Sequence, residues 1–396
     1  MLIFVLNAGS SSLKYQLIDI KSKELKASGL VERIGIDGIL KHEIGENKKL
    51  TFELPIPTHK EAIELVLRIL TNNETKVINS IDEIKAIGHR VVHGGEYFKG
   101  SAIVDDEVIR KIEELIPLAP LHNPANILGV KICKDLMPKV PNVVTFDTAF
   151  HQTMPMENFL YAVPYADYTE HHLRKYGFHG TSHYYVSQEA IKLLNKKDSK
   201  VIVCHLGNGS SVCAVKDGKS ISTSMGLTPL EGLVMGTRSG DIDAGVIPYL
   251  MEKKGLNHIQ ILDYLNKKSG ILGVSGVSSD LREVIKAAND GDKRSKIAIT
   301  MLCDRIKKYL CSYAGLMHGV DAICFTAGIG ENSDLIREKV CEGLEFMGIE
   351  IDKDKNSKRE KGNREINTKN SKTKIFVIPT NEELVIATDT YNLLKK

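Results

Sequence analysis

The sequence predicts an α/β protein whose two halves follow one plan. Three observations carry that expectation. Leu2 to Leu6 form an apolar run that enters Asn7-Ala8-Gly9-Ser10-Ser11-Ser12, and a strand pattern resumes over Leu13 to Ile20. Much later, Val201 to Leu206 enter Gly207-Asn208-Gly209-Ser210-Ser211, and Val212 to Val215 resume in the same way. After each of these hairpins, strand-like and helical segments alternate, as in mixed α/β layers.

Each element rests on its own periodicity. Apolar residues recur at helical spacing over Lys60 to Thr71, Asp105 to Ile116, Asn123 to Leu136, Ser182 to Leu194, Asp280 to Ala288, Arg294 to Leu316 and Asp334 to Met347. Strands fit Ala86 to Val92, Asn142 to Phe146, Asp321 to Phe325 and Lys374 to Ile378. Glu383 to Leu394 reads as a closing helix. The expected division is residues 1–150 with 382–396 as an N-terminal domain and 151–381 as a C-terminal domain, with the break near Phe150. Lys353 to Lys374 carries nine Lys or Arg against three acids, has little apolar pattern and no interleaved aromatics, and is expected to be a solvated loop.

The hairpin turns are candidates for phosphate binding. Gly, Ser and Asn expose backbone N–H groups and hydroxyls in a small concavity without a Cβ to block approach. The same residues fill ordinary turns for conformational reasons alone. A third element adds weight: the Asp321 to Phe325 strand ends in Thr326-Ala327-Gly328-Ile329-Gly330-Glu331-Asn332-Ser333 before a helix. Strand, glycine-rich turn and helix is a common nucleotide site. It lacks the third glycine of the dinucleotide fingerprint, and the chain holds no G-x-x-x-x-G-K-[ST].

Composition sets limits. At 396 residues the chain suggests two or three domains, and 42% apolar with 26% charged residues is an ordinary globular balance. A net charge of +3 spread along the chain gives no reason to expect nucleic acid or an anionic membrane as partner. Leu2 to Leu6 is too short for a signal segment, and no run approaches a membrane span. The seven cysteines form no C-x-x-C pair and read as reduced core residues of a cytoplasmic protein.

Several constellations bring reactive side chains to turns. Arg90 ends an apolar strand before His93-Gly94-Gly95, where a guanidinium offers a planar fork to carboxylate or phosphate; a surface ion pair is the plain alternative. Met225 to Asp243 holds glycines, Arg238, Asp241 and Asp243 in a stretch too irregular for helix or strand, the kind of loop that carries function. His179 lies at a glycine turn, where a structural histidine is equally compatible. Asp147 follows a strand, and Glu382 opens a helix, where acids usually act on the dipole. Beside a polyphosphate, Asn7, Asp147 and Glu382 are oxygen donors of the kind Mg²⁺ takes.

At these residues the chain resembles the acetokinase family of acetate kinases along essentially its whole length. The matching stretches are N-A-G-S-S-S-L-K at 7–14, H-R-V-V-H-G-G at 89–95, F-D-T-A-F-H-Q-T at 146–153, G-F-H-G-T-S-H at 177–183 and H-L-G-N-G at 205–209. They continue with M-G-L-T-P-L-E-G-L at 225–233, M-G-T-R-S-G-D-I-D at 235–243, G-I-G-E-N at 328–332 and P-T-N-E-E-L at 379–384. Ala244 stands where proline often follows the aspartate, and Ser211 where alanine is common. The resemblance implies an actin-like ATPase (ribonuclease H-like) fold of two duplicated domains with a nucleotide cleft, usually as a homodimer. It also implies reversible phosphoryl transfer from ATP to acetate, giving ADP and acetyl phosphate, with Mg²⁺ or Mn²⁺ as cofactor.

The resemblance further implies roles for particular residues. Asn7 and Glu382 resemble the metal site, and Lys14 a contact to nucleotide or phosphate. Arg90 resembles the acetate-binding arginine, Asp147 the essential acid, and His179 and Arg238 the groups that stabilise the transferring phosphoryl. His205, Leu206, Gly207, Asn208 and Gly209, then Asp280, Leu281 and Arg282, and Gly328, Ile329, Gly330, Glu331 and Asn332, resemble the nucleotide-binding loops. Val92, Leu121, Phe178 and Pro229 resemble the wall around the acetate methyl. Elementary chemistry agrees: acetate is already ionised at neutral pH and needs no general base, so catalysis must come from positive charge that offsets anion repulsion. Asp147 is therefore expected to orient cations and metal-bound water. A propionate or butyrate kinase on the same scaffold is the near alternative, and a conformational ATPase of the actin or chaperone type the distant one.

Overall fold

Both hairpins form. In a computed structural model that describes residues 1–45 and 48–395, Leu2–Ala8 (β1) pairs antiparallel with Leu13–Asp19 (β2), from Leu2 opposite Asp19 to Ala8 opposite Leu13. The chain divides into two compact units, Met1–Phe150 with Asn381–Lys396, and His151–Thr380. Lys396 itself lies outside the described residues.

In the first unit, Glu24–Glu32 (β3), Ile39–Ile44 (β4), Lys48–Glu53 (β5), Ile84–Val91 (β6), Ala102–Ile103 (β7) and Asn142–Phe146 (β8) complete an eight-stranded sheet ordered β5-β4-β3-β2-β1-β6-β8-β7. β1 is apolar from Leu2 to Leu6 because it is covered on both faces, as central strands are. Phe4 and Leu6 point into a core with Ile63, Val66 and Leu70 of helix His59–Thr71. Ile3 and Val5 point the other way, against Ala86 and against Ile386 and Ala387 of the C-terminal helix Glu382–Leu394.

The second unit repeats this plan. Lys200–Leu206 (β9), Ser210–Lys216 (β10), Lys219–Thr223 (β11), Ala322–Thr326 (β12), Arg364–Glu365 (β13) and Lys374–Val377 (β14) form a sheet ordered β11-β10-β9-β12-β14-β13. The run β3-β2-β1-β6-β8 of the first sheet and the run β11-β10-β9-β12-β14 of the second share order and sense, two antiparallel pairings followed by two parallel ones. The duplication read from the hairpins is thus a duplication of topology. Ile202, Cys204 and Leu206 of β9 pack with Leu302, Ile306 and Leu310 of the long helix Lys293–Leu316, and helix Gly180–Leu194 also packs on β9.

The structure corrects three sequence expectations. The helix expected to run from Asp334 to Met347 ends at Cys341, because Gly343 turns the backbone left-handed (φ 78°), and Glu345–Met347 is a separate 3₁₀ turn. The basic stretch Lys353 to Lys374 is not a bare loop: Asp352 caps helix Lys353–Ser357, and β13 pairs with β14. Asn356, Ile366, Asn367 and Thr373 anchor that stretch at 2% exposure or less, with most of its lysines exposed. Between Gly245 and Gly276 lie three helices the sequence did not announce, Val246–Lys254, His258–Lys267 and Gly270–Ser275.

All seven cysteines are free thiols, buried except for half-buried Cys311. Burial pushes Cys133 and Cys213 up to about 12, which keeps them protonated and inert. Among the described residues no helix is long and apolar enough to cross a membrane.

Candidate functional site

Three parallel neighbours in the first sheet deliver three polar side chains to one rim. Asn7 sits near the carboxyl end of β1, Arg90 near that of β6, and Asp147 immediately after β8. The carboxyl ends of parallel strands are where open α/β sheets bind ligands. Arg90 Nε donates to Asp147 Oδ1 at 3.0 Å and Nη2 to Oδ2 at 2.5 Å, while Nη1 donates to Asn7 Oδ1 at 3.3 Å. An arginine has five N–H groups. Two of them, one on each terminal nitrogen, are left for a carboxylate or phosphate. Burial works against the Arg90 charge, but Asp147, Glu382 and Glu383 outweigh it and hold its pKa above the ordinary arginine value.

Glu382 opens the C-terminal helix beside this group. Asn381 Oδ1 caps that helix by accepting from Leu384 N at 3.0 Å. Burial pushes the Glu382 carboxyl up, with the charges of Asp147 and Glu383 adding and Arg90 and Lys14 opposing. A half-buried carboxylate beside the Asp147 and Glu383 charges suits a cation, and the oxygens of Asn7, Asp147 and Glu382 are of the kind Mg²⁺ takes together with water and phosphate. Among the described residues no cluster of three His, Cys, Asp or Glu forms a metal cage. Lys14 forms an ion pair with Glu383.

The sequence did not single out Asn126, which braces this rim. Its Oδ1 accepts from Val92 N at 3.1 Å and its Nδ2 donates to Ala8 O at 2.7 Å, so one buried amide joins the ends of β1 and β6. A polar residue on the apolar face of helix Asn123–Leu136 was the available signal. Val92 is nearly buried, whereas Leu121 is 69% exposed in the turn before that helix.

In the second unit, His179 is the residue preceding helix Gly180–Leu194 and has a left-handed backbone (φ 56°). A non-glycine residue there is strained by roughly 1 kcal/mol or more and is retained where the surroundings require its side-chain direction. A Cβ added to Gly209 would lie 3.5 Å from His179 Nε2 and 3.6 Å from Arg238 Nη1, so the two donors converge beside that glycine. Burial lowers the Arg238 pKa, and its Nη1 donates to Pro229 O at 3.2 Å. Phe178, just before His179, is buried, and Pro229 is half-buried.

The irregular loop that carries Arg238 is pinned from behind. Asp241 Oδ1 accepts from Gly232 N at 2.7 Å and Oδ2 from the Tyr309 hydroxyl at 2.9 Å; Arg305 Nη1 donates to Gly232 O at 3.1 Å and Asp241 O at 3.2 Å. These contacts close the loop at its ends, and none of Asp241, Arg305 and Tyr309 was predicted as a site residue. Gly236 N donates to Asn208 O at 3.1 Å, and a side chain at Gly236 would collide with the Asn208 amide.

The expected nucleotide loops meet around a cavity of about 960 Å³ within this unit. Gly207, Asn208, Asp280, Arg282, Gly328 and Ile329 line it, along with Leu281 and Asn332. Asp280 has a structural role as well, capping helix Leu281–Asn289 through Arg282 N at 2.9 Å; hydrogen bonds from Arg282 hold its carboxyl down to about 2. His205, Leu206, Gly209, Gly330 and Glu331 do not line this cavity. His205 and Leu206 are buried in β9, and the Glu331 carboxylate accepts from Ala327 N at 2.9 Å and Thr380 N at 3.3 Å, which ties down the glycine-rich turn.

Residues 2–388 match the acetokinase family. The chain belongs to that family. The acetate kinases of Treponema denticola and Fusobacterium nucleatum are 55% and 56% identical to it over the whole of both chains. Among solved structures, acetate kinase from Porphyromonas gingivalis superposes with a TM-score of 0.95 at 47% identity, and a propionate kinase from Francisella tularensis with 0.93 at 45%, each covering 99% of both chains. The acetokinase fold is therefore that of the two-domain actin-like ATPases, and the chain is a kinase.

Proposed function

We propose that this acetokinase transfers the γ-phosphoryl group of ATP to acetate, reversibly, giving acetyl phosphate and ADP. The observation that carries the reading is the full-length likeness, at 55% and 56% identity, to proteins named acetate kinase. The reaction chemistry supports it. An acetate oxygen, already anionic, forms a bond to the γ-phosphorus while the bridging oxygen of ADP departs with the bonding pair, so no proton has to be removed. Arg90 is assigned to the acetate carboxylate through the N–H groups that Asp147 and Asn7 leave unused. Asp147 then orients the guanidinium and does not act as a base.

His179 and Arg238 are assigned to the equatorial oxygens of the transferring phosphoryl, where charge develops in a loose transition state. The cavity lined by Asn208, Asp280, Arg282 and Ile329 is assigned to the nucleotide, with His205, Leu206, Gly209, Gly330 and Glu331 supporting the loops that frame it. Asn7 and Glu382 would hold Mg²⁺, which supplies positive charge to the phosphates when bound, and Lys14 would contact phosphate. Val92, Leu121, Phe178 and Pro229 are assigned to the methyl pocket. Residence in the cytoplasm as a homodimer completes the reading.

Hydroxylamine trapping tests the reaction. Acetate and Mg-ATP should give a hydroxamate, and ATP hydrolysis without hydroxamate would refute the assignment. Propionate and butyrate assayed alongside distinguish the acid, since the propionate kinase structure resembles this chain almost as well as the acetate kinase one.

A further inference from the structure

Behind His179 lies a serine hydroxyl shared by two imidazoles. Ser211 Oγ is 2.9 Å from His179 Nδ1 and 2.7 Å from His183 Nε2. His183 is fully buried, and burial, with His151 and His205 adding, holds its pKa well below the usual histidine value. It is therefore neutral, with one N–H and one lone pair. Its Nδ1 has no hydrogen-bond partner among the described residues. A proton on Nδ1 would bury an unmatched donor, while a proton on Nε2 meets the Ser211 oxygen.

The rest follows from counting protons. A serine hydroxyl has one. If Ser211 accepts from His183 Nε2, it directs its own hydrogen to His179 Nδ1. A neutral His179 then carries its proton on Nε2, the nitrogen that converges with Arg238 Nη1 beside Gly209. We propose that Ser211, oriented by His183, is a positioning residue that fixes His179 as the Nε2–H tautomer, a neutral donor facing the site of phosphoryl transfer. The catalytic half of this statement rests on the reading of the reaction above; the tautomer itself does not.

A second hydroxyl pair repeats the arrangement. Thr380 Oγ1 donates to Ser182 Oγ at 2.8 Å, and Ser182 Oγ lies 2.8 Å from His205 Nδ1. The Ser182 proton thereby points to His205 Nδ1, and a neutral His205 would likewise bear its hydrogen on Nε2. The His205 and His179 rings stack at 4.2 Å between centroids.

Nitrogen-15 NMR of the histidine-labelled full chain reads the tautomer directly, and the spectrum of His179→Gln identifies the His179 signals. The expected result is a protonated Nε2 and an unprotonated Nδ1 at neutral pH. Ser211→Ala should give a mixture of tautomers and a kcat lower by about tenfold, within the range of a lost orienting contact, with the KM values for acetate and ATP little changed. Ser211→Thr, which keeps the hydroxyl, should restore both readouts and serves if the alanine variant folds poorly. A protonated Nδ1 on His179, or an unchanged tautomer in Ser211→Ala, would overturn the proposal. A normal kcat in a tautomer-mixed variant would overturn its catalytic half. Absence of hydroxamate in the trapping assay would refute the reaction and leave the tautomer result standing.

Discussion

Arg90 meets Asp147 edge to edge, with Nε and Nη2 each on its own carboxylate oxygen at 3.0 and 2.5 Å. The carboxylate side chain is 1% exposed and the guanidinium 24%, so the pair has a buried end and an accessible end. The buried end sets the direction of the accessible one.

Arg90→Ala should therefore fail in two ways. The acetate KM should rise on the order of 10²-fold, as for loss of one preorganised donor, and stability should fall by about 3 kcal/mol because a buried carboxylate is left unpaired. Steady-state kinetics and a urea midpoint measure both effects. A variant with normal acetate KM would refute the assignment of Arg90.

Arg238→Ala should act differently. Its loop is closed at its ends by Asp241, Arg305 and Tyr309, and the guanidinium adds a bond to Pro229 O, so folding should survive. The loss should fall on kcat, by about 10²-fold or more, with nucleotide affinity retained. Calorimetric titration of ADP alongside turnover separates the two, and a loss confined to nucleotide affinity would contradict the phosphoryl role.

Val92→Ala tests the acid pocket. Val92 is 5% exposed, and its backbone is fixed by Asn126, so shortening the side chain opens local space without freeing the strand end. A methylene in an apolar pocket is worth about 1–3 kcal/mol, so the propionate-to-acetate ratio of kcat/KM should rise about tenfold or more. An unchanged ratio would remove Val92 from the pocket wall.

Acid should destabilise the protein from below pH 6.5. Burial holds His89, His93 and His151 down to about 4, against an unfolded value of about 6.5. Above 6.5 neither state binds these protons and stability is independent of them. Between 6.5 and 4 the unfolded chain binds more, so stability falls as pH falls, by up to about 1.4 kcal/mol per pH unit for each histidine. Urea midpoints at pH 7 and 5 should differ clearly at constant ionic strength; equal midpoints would show that these imidazoles are not held neutral.

Where the sequence was legible, local pattern and global packing agreed. The apolar runs Leu2 to Leu6 of β1 and Val201 to Cys204 of β9 were legible because each strand is covered on both faces, and the loop around Arg238 read as irregular because no periodicity runs through it. What escaped depends on partners distant in sequence. Ser211 is an unremarkable strand residue until His179 and His183 arrive from another segment, and Asp241 acquires its role only from Arg305 and Tyr309. The stretch from Lys353 to Lys374 misled because its four buried residues, Asn356, Ile366, Asn367 and Thr373, are outnumbered by the basic residues around them.

The packing of Ile386 and Ala387 against Ile3, Val5 and Ala86 bears on how the chain is made. A ribosome releases the first sheet long before the helix that covers one of its faces. At about 5–20 residues per second, the whole second unit must be synthesised in between, which leaves that face bare for roughly ten to fifty seconds. During that interval the nascent chain exposes the aliphatic surface that Ile3, Val5 and Ala86 present to the closing helix. The unit that is begun before the other is thus finished after it.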